Sequence, residues 1–151
     1  MRIEFTLNGK PVSAEIDAGM RLLDLLRETF ELTGTKEGCG EGECGVCSVL
    51  INGELANSCL VPAFQTDGAT IETIELISQT EFGKRIVSAF CECGAVQCGF
   101  CTPGFVVSTY ALLKTNPSPT DEQIKISLSG NLCRCTGYAK IIEAVKRAMN
   151  L

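Results

Sequence analysis

The residues of this chain with the most chemistry to offer are its cysteines, ten among 151 residues, and the residue it does without is histidine. Four of the ten fall as Cys39, Cys44, Cys47 and Cys59, a C-x4-C-x2-C run followed by a more distant fourth thiol. Four more make two short pairs, Cys98-Gly-Phe-Cys101 and Cys133-Arg-Cys135. That is several-fold more thiol than packing requires, so the cysteines read as disulfides, metal ligands or redox groups. Without histidine, Cys/His zinc fingers, Rieske centres, histidine-ligated haem and histidine acid–base catalysis all fall away. Sites made of thiolate alone select zinc, Cu(I) or iron–sulfur.

The first set has the plant-type [2Fe–2S] spacing. Gly38, Gly40, Gly42 and Gly45 lie among its cysteines, as a loop needs if it is to wrap a compact anionic cluster and turn successive N–H groups inward. A four-cysteine zinc site is the alternative, and Cys44-x2-Cys47 alone would favour it. A zinc ribbon has two such knuckles, however, whereas here the other two thiols stand singly. The second set, on spacing alone, fits an iron–sulfur cluster or an all-cysteine zinc site. Two sulfur sites on one histidine-free chain point to an electron relay. Each pair of the second set precedes a helix start, Thr102-Pro103 and Thr136-Gly137-Tyr138, where unpaired N–H groups would offset a cluster's negative charge. Cys91 and Cys93 stand outside both sets and read as buried structural thiols, with a regulatory or disulfide role as the alternative. Glu41 and Glu43 read as solvating the cluster loop, and no nucleophile stands beside a base, so no catalytic residue is expected on this chain.

The elements that must hold these loops change character midway. Residues 3–7 and 12–16 alternate around Asn8-Gly9, and residues 48–51 and 54–57 flank Asn52-Gly53, the dipeptide of tight hairpins. Leu22, Leu25, Leu26 and Phe30 recur at helical spacing, and residues 70–74 supply one more β-branched run. A small sheet over a single amphipathic helix follows, of the β-grasp kind. From about residue 78 the apolar residues recur at three and four: Ile86, Val87 and Phe90; Val106, Val107, Tyr110 and Leu113; Ile141, Ile142, Val145 and Met149. Pro103 sits just inside a helix start, and Thr120 with Gln123 has capping-box spacing. The expected fold class is α+β, with one domain over residues 1–77 and a helical one over 78–151, joined through a polar stretch at residues 75–84.

A net charge of −5 without a run of Lys or Arg argues against nucleic acid. No stretch approaches the roughly eighteen consecutive apolar residues of a membrane span, and the polar, alternating start does not read as a signal peptide. A cytoplasmic protein is expected.

Taken together, Cys39-Gly-Glu-Gly-Glu-Cys44-Gly-Val-Cys47, Gly94-Ala-Val-Gln97-Cys98-Gly-Phe-Cys101-Thr-Pro-Gly104 and Gly130-Asn-Leu-Cys133-Arg-Cys135-Thr-Gly-Tyr138 resemble the iron–sulfur subunit of the molybdenum hydroxylases, the xanthine dehydrogenase, aldehyde oxidoreductase and carbon monoxide dehydrogenase family. The resemblance covers essentially the whole chain. It implies a plant-ferredoxin-like β-grasp domain followed by a four-helix domain, each with one [2Fe–2S] cluster. The ligands would be Cys39, Cys44, Cys47 and Cys59 for the first and Cys98, Cys101, Cys133 and Cys135 for the second. It further implies an oxidoreductase complex in which molybdopterin sits on a large subunit and FAD on a medium subunit, assembled as a dimer of heterotrimers. Gln97 and Cys135 match the positions that approach the pterin, and electrons would run from molybdenum through the second cluster to the first and on to FAD. For Gln97 the plainer alternative is a loop amide bonded to its own backbone. Two departures are mild: thiols at Cys91 and Cys93, and Phe105 where methionine is common. With no flavin or molybdenum domain in these residues, a small subunit of a larger assembly is expected. A free-standing ferredoxin and a structural zinc protein are the competing readings. Purine, aldehyde, carbon monoxide and N-heterocycle substrates all stay open.

Overall fold

Two Asn-Gly turns build most of the sheet in the computed structural model, which describes residues 1–150. Asn8 and Gly9 have φ of 50° and 79°, and join β1 (Arg2–Leu7) to β2 (Lys10–Glu15) with Leu7 opposite Lys10. Asn52 and Gly53, at 52° and 84°, join β3 (Ser48–Ile51) to β4 (Glu54–Asn57). Positive φ at both central residues gives the turn whose twist matches the strands it connects. The fifth strand, β5 (Thr70–Glu72), enters between the hairpins, parallel to β1 and antiparallel to β3, for an order β2-β1-β5-β3-β4. This strand ends before the expected residue 74. Thr73 is buried and exchanges hydrogen bonds with the Asn8 side chain (2.8 and 2.9 Å), and Ile74 opens a short helix, α2 (Ile74–Ile77).

The helix across the sheet is shorter and less regular than its spacing suggests. It begins as α1 (Leu22–Asp24) and continues as a π-helical turn, Leu25–Thr29. Leu22, Leu25 and Leu26 join Ile3, Phe5, Val49 and Ile71 in the sheet's core, while Leu23 packs instead against Cys47 and Cys59. Arg21, at its start, bonds both Asp24 (2.6 Å) and Glu37 (2.9 Å), which ties the helix to the chain leading into the first cysteine loop.

The second half is helical: α3 (Glu81–Glu92), α4 (Thr102–Thr115), α5 (Asp121–Ser127) and α6 (Ala139–Met149). The capping box at the start of α5 has both of its bonds, Thr120 Oγ1 accepting from the Gln123 N–H and the Gln123 amide oxygen accepting from the Thr120 N–H. Residues 75–84, expected as a polar connector, are instead mostly helix. Ile77 is fully buried, and Gly83 presses so close to the Ile77 carbonyl that a Cβ there would sit 1.7 Å from the oxygen. The connector is packed because Ile77 has a core to enter, alongside Ile86, Phe90 and Val107. Helix α4 is buried from Gly104 to Tyr110 and lies against β3, whose Leu50 belongs to the helical core. The architecture is the expected α+β one, a five-stranded β-grasp sheet followed by helices. Among the described residues no helix is long and apolar enough to cross a membrane.

Candidate metal centres

Cys39, Cys44 and Cys47 lie on the loop that enters β3, and Cys59 follows β4. The β3–β4 ladder puts Ser48 opposite Asn57, which brings the flanking cysteines together. Ser58 then donates to the Cys47 carbonyl from its N–H (3.2 Å) and its hydroxyl (2.7 Å). In the loop itself Gly40, Gly42 and Gly45 have φ of 68°, 83° and 70°. These torsions aim N–H groups at sulfur: Glu41 and Glu43 donate to Cys39 Sγ (3.4 and 3.2 Å), and Cys39 donates to Cys44 Sγ (3.4 Å). The Cys39 thiol is accordingly pushed down to about 7, first by the Glu41 N–H and then by its Cys44 and Glu43 neighbours. Cys59 goes the other way, up to about 11, chiefly through burial and then through contact with the Cys47 thiol. Glu41 and Glu43 are exposed, as expected of residues that solvate the loop.

Cys101 is the residue from which α4 starts, with Pro103 in the first turn where no N–H is required. Cys98 precedes it across Gly99, at φ 83°. Cys133 and Cys135 lie on the loop that enters α6. Cys101 touches Cys133, and Cys98 touches Cys135. Burial, then the Cys133 thiol, pushes Cys101 up to about 12. Burial is also the largest single influence on Cys133, upward, but the Thr136 hydroxyl, the Thr136 and Cys135 N–H groups and the Cys101 thiol act against it and leave that thiol below its ordinary value. Cys135 is raised, first by its Cys98 neighbour.

The two loops meet at a buried amide. Asn131, 4 % exposed, donates from Nδ2 to the Gly45 carbonyl (3.1 Å) and accepts at Oδ1 from the Ser108 hydroxyl on α4 (2.7 Å). Beside it the Leu132 N–H donates to the Cys44 carbonyl (2.9 Å), so one hydrogen bond separates the residue after Asn131 from a cysteine of the first set. Closeness is enforced by glycine. A Cβ on Gly45 would lie 2.3 Å from the Gly130 carbonyl oxygen, and one on Gly104 would lie 2.4 Å from that of Gly45. A cleft of about 410 Å³ opens between the loops, bordered by Cys39 and Cys44 of the first set and all four thiols of the second.

Within each set the thiols therefore associate two and two: Cys39 with Cys44 and Cys47 with Cys59; Cys101 with Cys133 and Cys98 with Cys135. Among the described residues no three Cys, Asp or Glu side chains converge on one point as ligands of a single ion would. A tetrahedral zinc wants four thiolates about one centre, whereas a diiron cluster takes two at each iron. The donor sets fit the latter, and the inward N–H groups fit its charge.

Gln97 is exposed just ahead of Cys98, and its amide makes no hydrogen bond to the described residues, unlike a loop amide folded onto its own backbone. Cys135 is exposed as well. Of the two remaining thiols, Cys93 is half-buried against the helical core, but Cys91 is exposed, contrary to its reading as a buried thiol: the helix turns it outward while Phe90 takes the core position. Among the described residues no two cysteines are joined in a disulfide. Leu23, Ser108, Asn131 and Thr136 also shape the sites. Asn131 and Thr136 lie inside the Gly130–Tyr138 run, but nothing in residue type alone marks the partners they reach.

Residues 5–73 match the family described as 2Fe-2S iron-sulfur cluster binding domain, and residues 73–146 match the one described as [2Fe-2S] binding domain. The nicotinate dehydrogenase small FeS subunit of Eubacterium barkeri is 50 % identical over 147 residues, which cover 97 % of this chain and 94 % of that protein. A probable xanthine dehydrogenase subunit of Bacillus subtilis (strain 168) is 44 % identical, over 99 % of this chain and 87 % of its own. Among solved structures, a chain of quinoline 2-oxidoreductase from Pseudomonas putida 86 superposes with a TM-score of 0.93 at 44 % identity, covering 99 % of this chain and 94 % of that one.

Proposed function

The chain belongs to the small [2Fe–2S] subunits of the molybdenum hydroxylases, and from that premise we propose that it relays electrons from a molybdopterin-bearing large subunit to a FAD-bearing medium subunit. It is an iron–sulfur subunit of an oxidoreductase complex, with a [2Fe–2S]-binding domain in each half. Each cluster supplies a one-electron carrier; the chain's own residues decide where it sits, what charge surrounds it and what it touches. In the proposed assignment Cys39, Cys44, Cys47 and Cys59 ligate one cluster and Cys98, Cys101, Cys133 and Cys135 the other, with the halves dividing at residues 77 and 78. Electrons enter at the second set, where Gln97 and Cys135 meet the pterin, and leave from the first.

The observation that carries this reading is the pairing of eight thiols, two and two, with the loop that enters β3 hydrogen-bonded to the loop that enters α6. An exposed Gln97 whose amide makes no hydrogen bond to the described residues is the kind of group a partner's ligand can recruit. The proposed location is the cytoplasm, where cysteines stay reduced and available as ligands. The proposed assembly is a dimer of heterotrimers. Substrate choice belongs to the large subunit, and relatives of this chain at similar identity carry names as different as xanthine dehydrogenase and quinoline 2-oxidoreductase.

The test is spectroscopic. The purified subunit should hold about four irons and give two distinguishable EPR signals on reduction. Cys101→Ser should abolish or severely perturb one signal and spare the other. Two unaltered signals in that variant would defeat the ligand assignment, and a chain that purifies from native cells without molybdenum and flavin partners would defeat the relay.

A further inference from the structure

Among the described residues Thr136 is the one hydroxyl side chain that donates to any of the eight thiols; the other donors to sulfur are backbone N–H groups or neighbouring thiols. Its Oγ1 lies 3.1 Å from Cys133 Sγ, and its N–H lies 3.4 Å from the same sulfur. The hydroxyl's direction is fixed from behind. Tyr138 N–H donates to Thr136 Oγ1 (3.3 Å), which occupies a lone pair and leaves the single hydroxyl hydrogen for the sulfur. The Tyr138 phenol oxygen in turn accepts from the Cys133 N–H (3.1 Å), closing a ring of contacts around this one cysteine.

That ring requires a backbone conformation an aromatic residue rarely takes. Tyr138 has φ 71° and ψ −27°, in the left-handed region, at the point where the loop becomes α6. Gly137, immediately before it, is left-handed as well, at φ 68°, so the left-handed stretch runs one residue beyond the glycine that suits it. Strain of this kind persists only where the surroundings over-determine it. Here those surroundings are the two hydrogen bonds that hold Thr136 and Cys133.

We infer that Thr136 is a positioning residue that sets the reduction potential of the cluster held by Cys133, raising it above the value that backbone donors alone would give. The inference rests on the relay reading and on Cys133 as a ligand. Adding one electron to a thiolate-ligated cluster increases the negative charge on its sulfurs, so a hydroxyl aimed at sulfur stabilises the reduced form more than the oxidised one. No proton leaves the hydroxyl and no bond is made or broken; the electron alone moves. In the proposed order of transfer this is the cluster that electrons reach first, and Thr136 makes it the better acceptor.

The experiment is an EPR-monitored redox titration of the assembled complex carrying Thr136→Val, Thr136→Ala or Thr136→Ser. The expected result is a negative shift of one cluster's midpoint in the Val and Ala variants, with the other midpoint in place and Thr136→Ser restored toward wild type. Unmoved midpoints would overturn the inference. So would an equal shift of both clusters, which reports general loosening, or loss of one signal in both Val and Ala but not Ser, which makes the hydroxyl a requirement for assembly. Failure of the relay reading looks different: the wild-type chain itself would then lack four irons or the second signal.

Discussion

Replacing Asn131 by alanine should loosen the junction between the two cluster loops by about 2 kcal/mol while leaving the chain folded. Two side-chain hydrogen bonds disappear, to the Gly45 carbonyl and from the Ser108 hydroxyl, each contributing about 1 kcal/mol net. The penalty for orphaned partners, which often exceeds the bonds themselves, is small here. Gly45 O keeps the Ser48 hydroxyl (2.7 Å) and N–H (3.2 Å), and the Ser108 hydroxyl can turn back to a carbonyl of its own helix. The readout is hydrogen exchange at the Leu132 amide, which bonds the Cys44 carbonyl and becomes exchangeable when the loops part. At about 1.4 kcal/mol per factor of ten, its protection should fall roughly 30-fold, with amides in the middle of α3 unchanged. Ser108→Ala removes one bond but leaves the buried Asn131 Oδ1 without its donor, so protection should fall by at least about fivefold. Leu132 protection in Asn131→Ala within twofold of wild type would refute the argument that this amide holds the loops together.

Gly45→Ala combines a left-handed φ of 70° with a Cβ placed 2.3 Å from the Gly130 carbonyl; it should cost well over about 2 kcal/mol, and iron content after purification should fall. In the metal-free chain Cys39, pushed down to about 7 by the Glu41 N–H and its neighbours, is half ionised near neutrality, whereas half-buried Cys101, pushed up to about 12, is not. Iodoacetamide at pH 7.5 should therefore label Cys39 well before Cys101, read by peptide mass. The sign for stability follows: relative to unfolded thiols near 9, Cys39 favours the fold increasingly as pH rises from about 7 to 9, and Cys101 opposes it increasingly from about 9 to 12. Gln97→Ala should keep both EPR signals and slow cluster reduction by the molybdopterin subunit; an unchanged rate would remove Gln97 from the proposed contact.

What was legible beforehand follows the range of the interactions. Both Asn-Gly hairpins and the Thr120–Gln123 capping box are settled within four residues, and the structure has them where the sequence puts them. Each short cysteine run is local in the same way, but Cys59 comes twelve residues after Cys47, and thirty-one residues separate Cys101 from Cys133, so only the fold brings each set together. The helix at Leu22 is less so, because Leu23 leaves the sheet-facing stripe to cover Cys47 and Cys59, a target created only once β4 returns. Residues 75–84 look polar by count, yet buried Ile77, Gly83 pressed to its carbonyl and Phe82 against the helical core make them pack. Asn131 reaches Gly45 across 86 residues, and no local pattern distinguishes it from a loop asparagine.

The junction at Asn131 also bears on how this chain can be re-engineered. The Gly45 carbonyl, Val46 and Leu50 are all covered by residues from the other half: Asn131, Gly104 and the α4 core. A chimera that swaps in a foreign first half must therefore bring a matching glycine and carbonyl to meet Asn131. The portable module is the pair of loops with α4 between them, and a graft that cuts through that pair exchanges the wiring along with the part.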